Sequence, residues 1–184
     1  MPENKKVENF EMIPYAKHDG VRTLTDSFIM GLFDRMEKDD TARIVFYDKC
    51  VTTREQFLTV MKKPSTYLWV LKVKGDVVGM CWMNNVINKS AVPHWCMFKE
   101  YWGKSVDIGI YMHEYILHLK KPNGEYFLDV LTGLVAPWNK KMRGFCNKIG
   151  GVEVGLVPKI IWNGYKNQSE DGIYFYYIRQ EDRP

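Results

Sequence analysis

Apolar residues along this chain follow two different spacings, one typical of helices and one typical of strands. Four segments place apolar side chains three or four residues apart, which is the spacing of one helix face. The predicted helices are residues 21–36, 53–62, 106–119 and 140–149. Seven other segments are short and apolar or alternate between apolar and polar residues, which is typical of strands. The predicted strands are residues 7–15, 67–73, 77–83, 91–98, 126–135, 152–162 and 172–179.

Capping residues and glycines mark several of these boundaries. Thr52 followed by Glu55 predicts a capping box at the second helix, and Ser105 predicts an N-cap for the third. Asn139 is predicted to be the N-cap of the fourth helix. Gly150 is predicted to end this helix by adopting a left-handed conformation. Gly79, inside a predicted strand, indicates either a β-bulge or a close approach of another backbone. The chain is therefore predicted to alternate helices with a sheet.

Composition favours one soluble domain and indicates a polyanionic partner only weakly. The chain has 184 residues and is 46% hydrophobic, so we expect a single domain spanning residues 1–184. Its 26 Lys and Arg exceed its 22 Asp and Glu by only four, and they are scattered. This charge balance argues only weakly for a polyanionic partner, and the sequence gives no clear nucleic-acid signal. The basic cluster at residues 140–143 is interpreted as a solvated helix face, or as a group that meets cofactor phosphates.

Neither a targeting segment nor a metal site is predicted. The first residues mix acidic and basic side chains without an apolar core, and the apolar runs are too short to span a membrane, so we expect a cytoplasmic location. The four cysteines have spacings that fit no zinc pattern and indicate reduced thiols. His113 and His118 are five residues apart, which does not place them on one helix face.

The order of polar and glycine residues in the last quarter of the chain resembles a known family. Gly150 follows Asn139 by eleven residues, and further residues of the pattern stand around and after it in the expected order. These residues are Lys148, Gly155, Gly164, Asp171, Tyr177 and Arg179. The pattern is similar to the C-terminal half of the GNAT superfamily of acetyl-CoA-dependent N-acetyltransferases. It looks most like the divergent GNAT-like proteins encoded by phages and prophages.

The resemblance implies a fold, a donor and a class of acceptor. The fold would be α/β, an α+β mixed and mostly antiparallel central sheet flanked by helices, and the predicted order of elements agrees with it over nearly the whole chain. Acetyl-CoA would be the acyl donor, and a small-molecule or protein amine the acceptor. A homodimer or a virion-protein partner is a further expectation, with a location in the host cytoplasm or the virion. The alternative function is a catalytically inactive phage accessory or assembly protein that acts through protein contacts.

By resemblance, residues 100–105 occupy the place of the family's phosphate-binding loop. Gly103 and Ser105 keep its small residues, whereas Glu100 replaces a favourable side chain with an anion that Lys99 and Lys104 would offset. Alternatively, Gly103 permits a tight turn and Ser105 caps a helix. The predicted cofactor-binding residues are Met97, Phe98, Lys99, Trp102, Gly103, Lys104, Ser105 and Asn139.

Three residues are candidates for proton transfer. His94 lies on the strand that would hold the pantetheine arm, and it is either the general base or a hydrogen-bonded core residue. Glu100 is the second candidate for the base. Cys146 stands where the family has a tyrosine that protonates the leaving thiolate, and it is either that acid or a small core residue. Asn139 either contacts pantetheine or only caps its helix.

Overall fold

A computed structural model describes residues 10–18 and 20–183. Its strands are β1 Phe10–Pro14, β2 Lys17–His18, β3 Val21–Arg22, β4 Tyr67–Val73, β5 Asp76–Ile87, β6 Ser90–Met97, β7 Val130–Val135, β8 Val152–Asn163 and β9 Gln168–Tyr177. Its α-helices are α1 Asp26–Lys38, α2 Ala42–Val45, α3 Arg54–Met61, α4 Ser105–Leu117 and α5 Lys140–Lys148. Short 3₁₀ helices cover Lys99–Lys104 and Gln180–Asp182. Among these residues, none of the helices combines the length and the apolar character that crossing a membrane requires.

Seven strands form one sheet in the order β1-β4-β5-β6-β7-β9-β8. All neighbouring strands are antiparallel except β6 and β7, which are parallel. The predicted mostly antiparallel mixed sheet flanked by helices is confirmed. The predicted first strand covered residues 7–15, of which residues 7–9 lie outside the described part of the chain.

The sheet separates two apolar layers because successive strand residues point to opposite faces. In β4, Trp69 and Leu71 pack with α4, whereas Leu68 and Val70 pack with α1 and α3. All four side chains are almost completely buried. β4 is therefore apolar on both faces because each face is covered by helices.

The first helix begins later than predicted. The prediction began at residue 21, but Val21 and Arg22 pair with β2, and α1 begins at Asp26. The Thr25 hydroxyl accepts a hydrogen bond from the Phe28 N–H at 3.2 Å and caps the helix. A side-chain acceptor at this position defines the start, which the apolar spacing alone placed too early.

The cap of α3 is displaced by one residue from the predicted capping box. Thr53, not Thr52, accepts the hydrogen bond from the Gln56 N–H, at 3.3 Å. The Gln56 side chain in turn accepts from the Thr52 N–H at 2.8 Å. Gln56 therefore takes the reaching-back position that the sequence assigned to Glu55.

Both interpretations of Gly79 are confirmed. The register of β4 and β5 shifts beside it, and a Cβ at Gly79 would lie nearer than 3.0 Å to the carbonyl oxygen of Cys96 on β6. The predicted strand at residues 126–135 is shorter than expected, because β7 begins only at Val130. Tyr126 instead forms an isolated bridge with Lys120.

The C-terminal hairpin places a long, apolar strand at the edge of the sheet. The register of β8 and β9 shifts twice, at Gly155 and again between Val157 and Ile161. Several apolar side chains of β8 are exposed, among them Val152, Val154, Leu156, Ile160 and Trp162. In β9 the predicted alternation is confirmed, with Phe175 and Tyr177 buried and their neighbours half-buried.

Candidate functional site

A cleft opens where the two parallel strands separate. β6 and β7 pair only through Ser90 with Val130 and Ala91 with Leu131, and beyond these pairs they diverge around a cavity of about 400 Å³. Pro93 follows shortly after the last pair and has no backbone N–H to donate to either neighbour. The main chain of β6 beyond Ala91 therefore faces the cleft without a strand partner on its β7 side.

Different elements form the two ends of the cleft. The starts of α4 and α5 form one end with Trp102, Ser105, Lys141 and Phe145, which we call the lysine end. The other end lies beside α2 and Trp138, and we call it the aromatic end. This aromatic end is lined by Ile44, Val45, Tyr47, Leu134 and Trp138.

A second cavity, of about 330 Å³, adjoins the lysine end and shares Ser105, Lys141 and Phe145 with it. Lys140 and Lys148 of α5 also line it. α4 begins here without a side-chain cap, as a continuation of a 3₁₀ helix, and the Ser105 N–H donates to the Trp102 carbonyl. Three ammonium groups beside the positive end of a helix dipole form an environment that suits phosphate.

The predicted phosphate loop is largely helical. Residues Lys99–Lys104 form a 3₁₀ helix that runs directly into α4. The prediction that Ser105 caps α4 is wrong: Lys104 holds the cap position, and the Ser105 hydroxyl donates to the Trp102 carbonyl at 2.8 Å. The tight 3₁₀ turn brings that carbonyl within reach of the hydroxyl.

Trp102 is held between β6 and α5. Its indole N–H donates to the Met97 carbonyl at 2.9 Å, and the Lys141 ammonium lies 5.1 Å from the centre of its ring. The first contact fixes the ring at the end of β6, and the second is a cation–π contact. Trp102 therefore orients Lys141 at the junction of the two cavities.

Glu100 is engaged outside the cleft. Its carboxylate pairs with Arg35 of α1, whose guanidinium also donates to the Val77 carbonyl at 2.9 Å and lies over the Phe98 ring. The Glu100 carboxylate, which departs from the family pattern, is thus paired with the Arg35 guanidinium. The nearby Lys99 N–H donates to an Asp39 carboxylate oxygen at 2.8 Å.

Asn139 caps α5 as expected, and it also lines the cleft. Its side-chain oxygen accepts a hydrogen bond from the Met142 N–H at 3.1 Å, which leaves the amide NH₂ group for another partner. Of the other predicted residues, the cavities are lined by His94, Met97, Trp102 and Ser105. The residues Phe98, Lys99, Glu100, Gly103, Lys104 and Cys146 do not line either cavity. Their predicted roles stay predictions.

His94 faces the cleft as a neutral imidazole. Its ring stacks on Trp82 with centroids 5.3 Å apart, and its Nε2 lies 3.2 Å from the Asn84 side-chain oxygen. An Nε2–H that donates to this oxygen leaves Nδ1 unprotonated. Burial lowers the pKa of His94 to about 4, and the charge of Asp48 opposes this in part. His94 is therefore an uncharged proton acceptor at neutral pH.

Cys146 lies behind the cleft. It is 2% exposed and packs in the core between α5 and β9. Burial raises the pKa of its thiol, and a hydrogen bond with Tyr177 lowers it. Burial also raises the pKa of Tyr177, together with the interaction with Cys146. Both groups are therefore protonated at neutral pH.

Two aromatic residues at the aromatic end of the cleft were not predicted as site residues. Tyr47 and Trp138 meet edge to face with centroids 6.0 Å apart, and the Trp138 indole N–H donates to Glu170 at 2.7 Å. Burial raises the pKa of Tyr47. The only local signal for Trp138 as a site residue was its position directly before the predicted cap Asn139. Tyr47 follows a four-residue helix and had none.

Known proteins resemble this chain in structure but not in sequence. No protein-family model matches this sequence, and no curated protein sequence matches it. Solved structures do match. One is an acetyltransferase from Salmonella typhimurium that modifies the N-terminal serine of a ribosomal subunit protein, with 10% identity, coverage of 94% of this chain and 96% of that chain, and a TM-score of 0.71.

Two further matching structures contain CoA or acetyl-CoA. The microcin C7 self-immunity acetyltransferase MccE, in complex with acetyl-CoA and AMP, is 15% identical over 97% of both chains with a TM-score of 0.67. Spermidine N-acetyltransferase from Vibrio cholerae, in complex with CoA and spermine, is 16% identical over 91% of this chain and 95% of that chain with a TM-score of 0.61. At these identities the likeness concerns the fold, and the expected relation to phage proteins stays a prediction. The chain has the fold of the GNAT acetyltransferases.

Proposed function

We propose that the protein is an acetyl-CoA-dependent N-acetyltransferase that acetylates a primary amine within the cleft between β6 and β7. The observation that carries the proposal is the continuity of this cleft with a lysine-lined cavity beside the start of α4. Structures of this fold have been solved with CoA or acetyl-CoA bound. The same cofactor fits the donors of this chain.

The donors are arranged along the cleft in the order that the cofactor requires. Lys140, Lys141 and Lys148 would hold the phosphates, beside the positive end of the α4 dipole. The unpaired main chain of β6 and the Asn139 amide would hold the pantetheine arm. The cofactor supplies an acetyl thioester, whose carbon the amine nitrogen attacks while the C–S bond breaks and its electron pair leaves with sulfur.

His94 would take the proton that the attacking amine loses. His94 lines the cleft and its Nδ1 is unprotonated at neutral pH, so it accepts this proton without first losing one. A pKa near 4 makes His94 too weak a base to deprotonate a free ammonium ion. The amine therefore reacts as the neutral fraction, and the rate should rise with pH as that fraction grows.

Thermal unfolding with and without acetyl-CoA tests the cofactor site. A ligand present at one hundred times its dissociation constant adds about 2.7 kcal/mol to the free energy of unfolding. For a chain of this size each kcal/mol raises the melting temperature by about 2–4 °C, so we expect a rise of about 5–11 °C. A melting curve that millimolar acetyl-CoA leaves unchanged contradicts the proposal.

Charge reversal locates the phosphates. Lys141→Glu should remove most of the thermal shift, because it places an anion where both cavities meet. Lys63→Glu is the matched control, since Lys63 is an exposed lysine that lines neither cavity. A shift that survives Lys141→Glu, or that Lys63→Glu abolishes equally, would mean that the phosphates bind elsewhere.

A further inference from the structure

The aromatic end of the cleft exposes large apolar side chains. Ile44, Trp138 and Leu134 are 46%, 43% and 36% exposed, and they line the same cavity as the half-buried Tyr47. A concave surface of this kind binds an apolar group, because the group and the side chains leave water together. The edge-to-face pair of Tyr47 and Trp138 adds two aromatic rings against which a third ring can pack.

The cleft lacks a carboxylate for a cationic acceptor. Among the described residues that line it, none is Asp or Glu. Two acids outside this lining, Asp48 and Glu170, act electrostatically on Tyr47. Asp48 is exposed, and its carboxylate accepts a hydrogen bond from the Cys50 N–H at 3.0 Å. Glu170 accepts hydrogen bonds from Trp138 at 2.7 Å and Asn163 at 3.1 Å and pairs with Lys166. The side chain of Glu170 is 12% exposed. It therefore positions Trp138 and is not free to bind a second ammonium group.

The rim of the aromatic end has a net positive charge, because Arg43 and Lys49 outnumber Asp48. The turn between β8 and β9 packs on this end, with the Gly164 N–H donating to the Tyr47 carbonyl at 2.9 Å. Arg43 and Lys49 lie over the Tyr165 ring in this turn, at 4.7 Å and 4.8 Å from its centre. Within the described part of the chain neither cation forms an ion pair. A polycation approaching this rim is repelled, whereas a neutral molecule is not.

From these observations we infer that the acceptor is a primary amine carried on an aromatic group without a second positive charge, and that polyamines are poor acceptors. The inference rests on the proposed function and specifies its substrate class. The apolar group lies against Ile44, Tyr47 and Trp138, and the amine points along the cleft towards His94. The same chemistry occurs in a free arylalkylamine and in a peptide that begins with phenylalanine.

Acetylation of a panel of amines tests this inference. The assay follows thiol release at saturating acetyl-CoA with 2-phenylethylamine, a tripeptide beginning with phenylalanine, and spermidine. We expect kcat/KM to be at least tenfold higher for 2-phenylethylamine or for the peptide than for spermidine. The better of the two identifies the acceptor as a free amine or a peptide terminus. A kcat/KM for spermidine that equals or exceeds both overturns the inference.

A pair of substitutions tests the location of the apolar group. Ile44→Asp should lower kcat/KM for the preferred aromatic acceptor at least tenfold and raise it for spermidine, because it adds a carboxylate at the aromatic end. Ile87→Asp is the matched control, since Ile87 is 65% exposed on β5 and lines neither cavity. Equal effects of the two substitutions on acceptor preference overturn the assignment.

The thermal shift distinguishes failure of this inference from failure of the proposed function. If acetyl-CoA raises the melting temperature and none of the aromatic amines is acetylated, the substrate class is wrong and the cofactor site stands. If acetyl-CoA causes no shift, the proposed function fails and the inference fails with it.

Discussion

Gly79 lies where the backbones of β5 and β6 approach closely, and replacing it by alanine tests that contact. The added Cβ would be nearer than 3.0 Å to the Cys96 carbonyl oxygen and 3.1 Å from the Met97 Cα. Both atoms belong to the backbone, so relief requires the strands to separate. Overpacking of this kind destabilises by about 1–3 kcal/mol. A loss of about 2 kcal/mol lowers the melting temperature by about 4–8 °C.

Gly133→Ala is the matched control for this substitution. Gly133 lies in β7, where an added Cβ would have no other atom within 4 Å, and its φ is not positive. Alanine there should be neutral or stabilise by up to about 1 kcal/mol, because it restricts the unfolded chain. Urea and thermal unfolding of both variants give the comparison.

The Gly79 substitution also reaches the site, since Met97 lines the cleft. If β6 moves to relieve the overlap, the thermal shift caused by acetyl-CoA should shrink in Gly79→Ala and not in Gly133→Ala. Gly79→Ala as stable as the unaltered protein would refute the close approach of the two backbones.

Three further predictions concern the cleft and its support. His94→Gln should lower kcat about 100-fold with little change in KM for acetyl-CoA. Because the pKa of His94 is lowered to about 4, protonation of His94 should not reduce the rate of the unaltered protein until the pH falls towards 4. A break near pH 6.5 in its pH–rate profile that the variant lacks would contradict this. Hydrogen bonds, the largest from Lys166, lower the pKa of Glu170 from 4.5 to about 2, so its stabilisation is present above about pH 4.5 and is lost as the pH falls through 2. Glu170→Gln should therefore lower the free energy of unfolding, measured in urea, by about 1–3 kcal/mol at pH 7 and by less at pH 3. A loss of the same size at both pH values would exclude the ionised carboxylate as the cause. Asn139→Ala should lower the free energy of unfolding by about 1 kcal/mol through loss of the cap. An unchanged urea unfolding curve would show that the hydrogen bond from the Met142 N–H to Asn139 does not stabilise the fold.

The sequence predicted those features whose causes are local. Asn139 and Gly150 act within one turn of α5, and the left-handed φ of 90° at Gly150 follows from the absence of a side chain. Gly79 was recognised because glycine inside a strand weakens it unless a bulge or a neighbour requires it. Thr53 and Thr25 show the limit, since several adjacent residues can cap and only the fold selects one.

The site was less predictable because its contacts join distant parts of the chain. The carboxylate of Glu100 has a partner 65 residues earlier, in Arg35, and no local pattern indicates this pairing. Tyr47 enters the cleft because the β8–β9 turn packs against it. The lysines of α5 were recognised as a basic cluster, but only the position of α5 beside the start of α4 shows that they line a cavity with it.

The irregular register of β8 has a consequence for the behaviour of this protein at high concentration. An exposed apolar edge strand is a template on which a second chain can add, and such addition leads to aggregation. Pro158 offers no N–H, and Lys159 has a φ of 52°, between the points where pairing with β9 stops and resumes. The edge is thus divided into two short stretches, neither of which presents a continuous row of backbone donors and acceptors. The chain can expose apolar side chains along β8 and still resist extension of its sheet by a neighbouring copy.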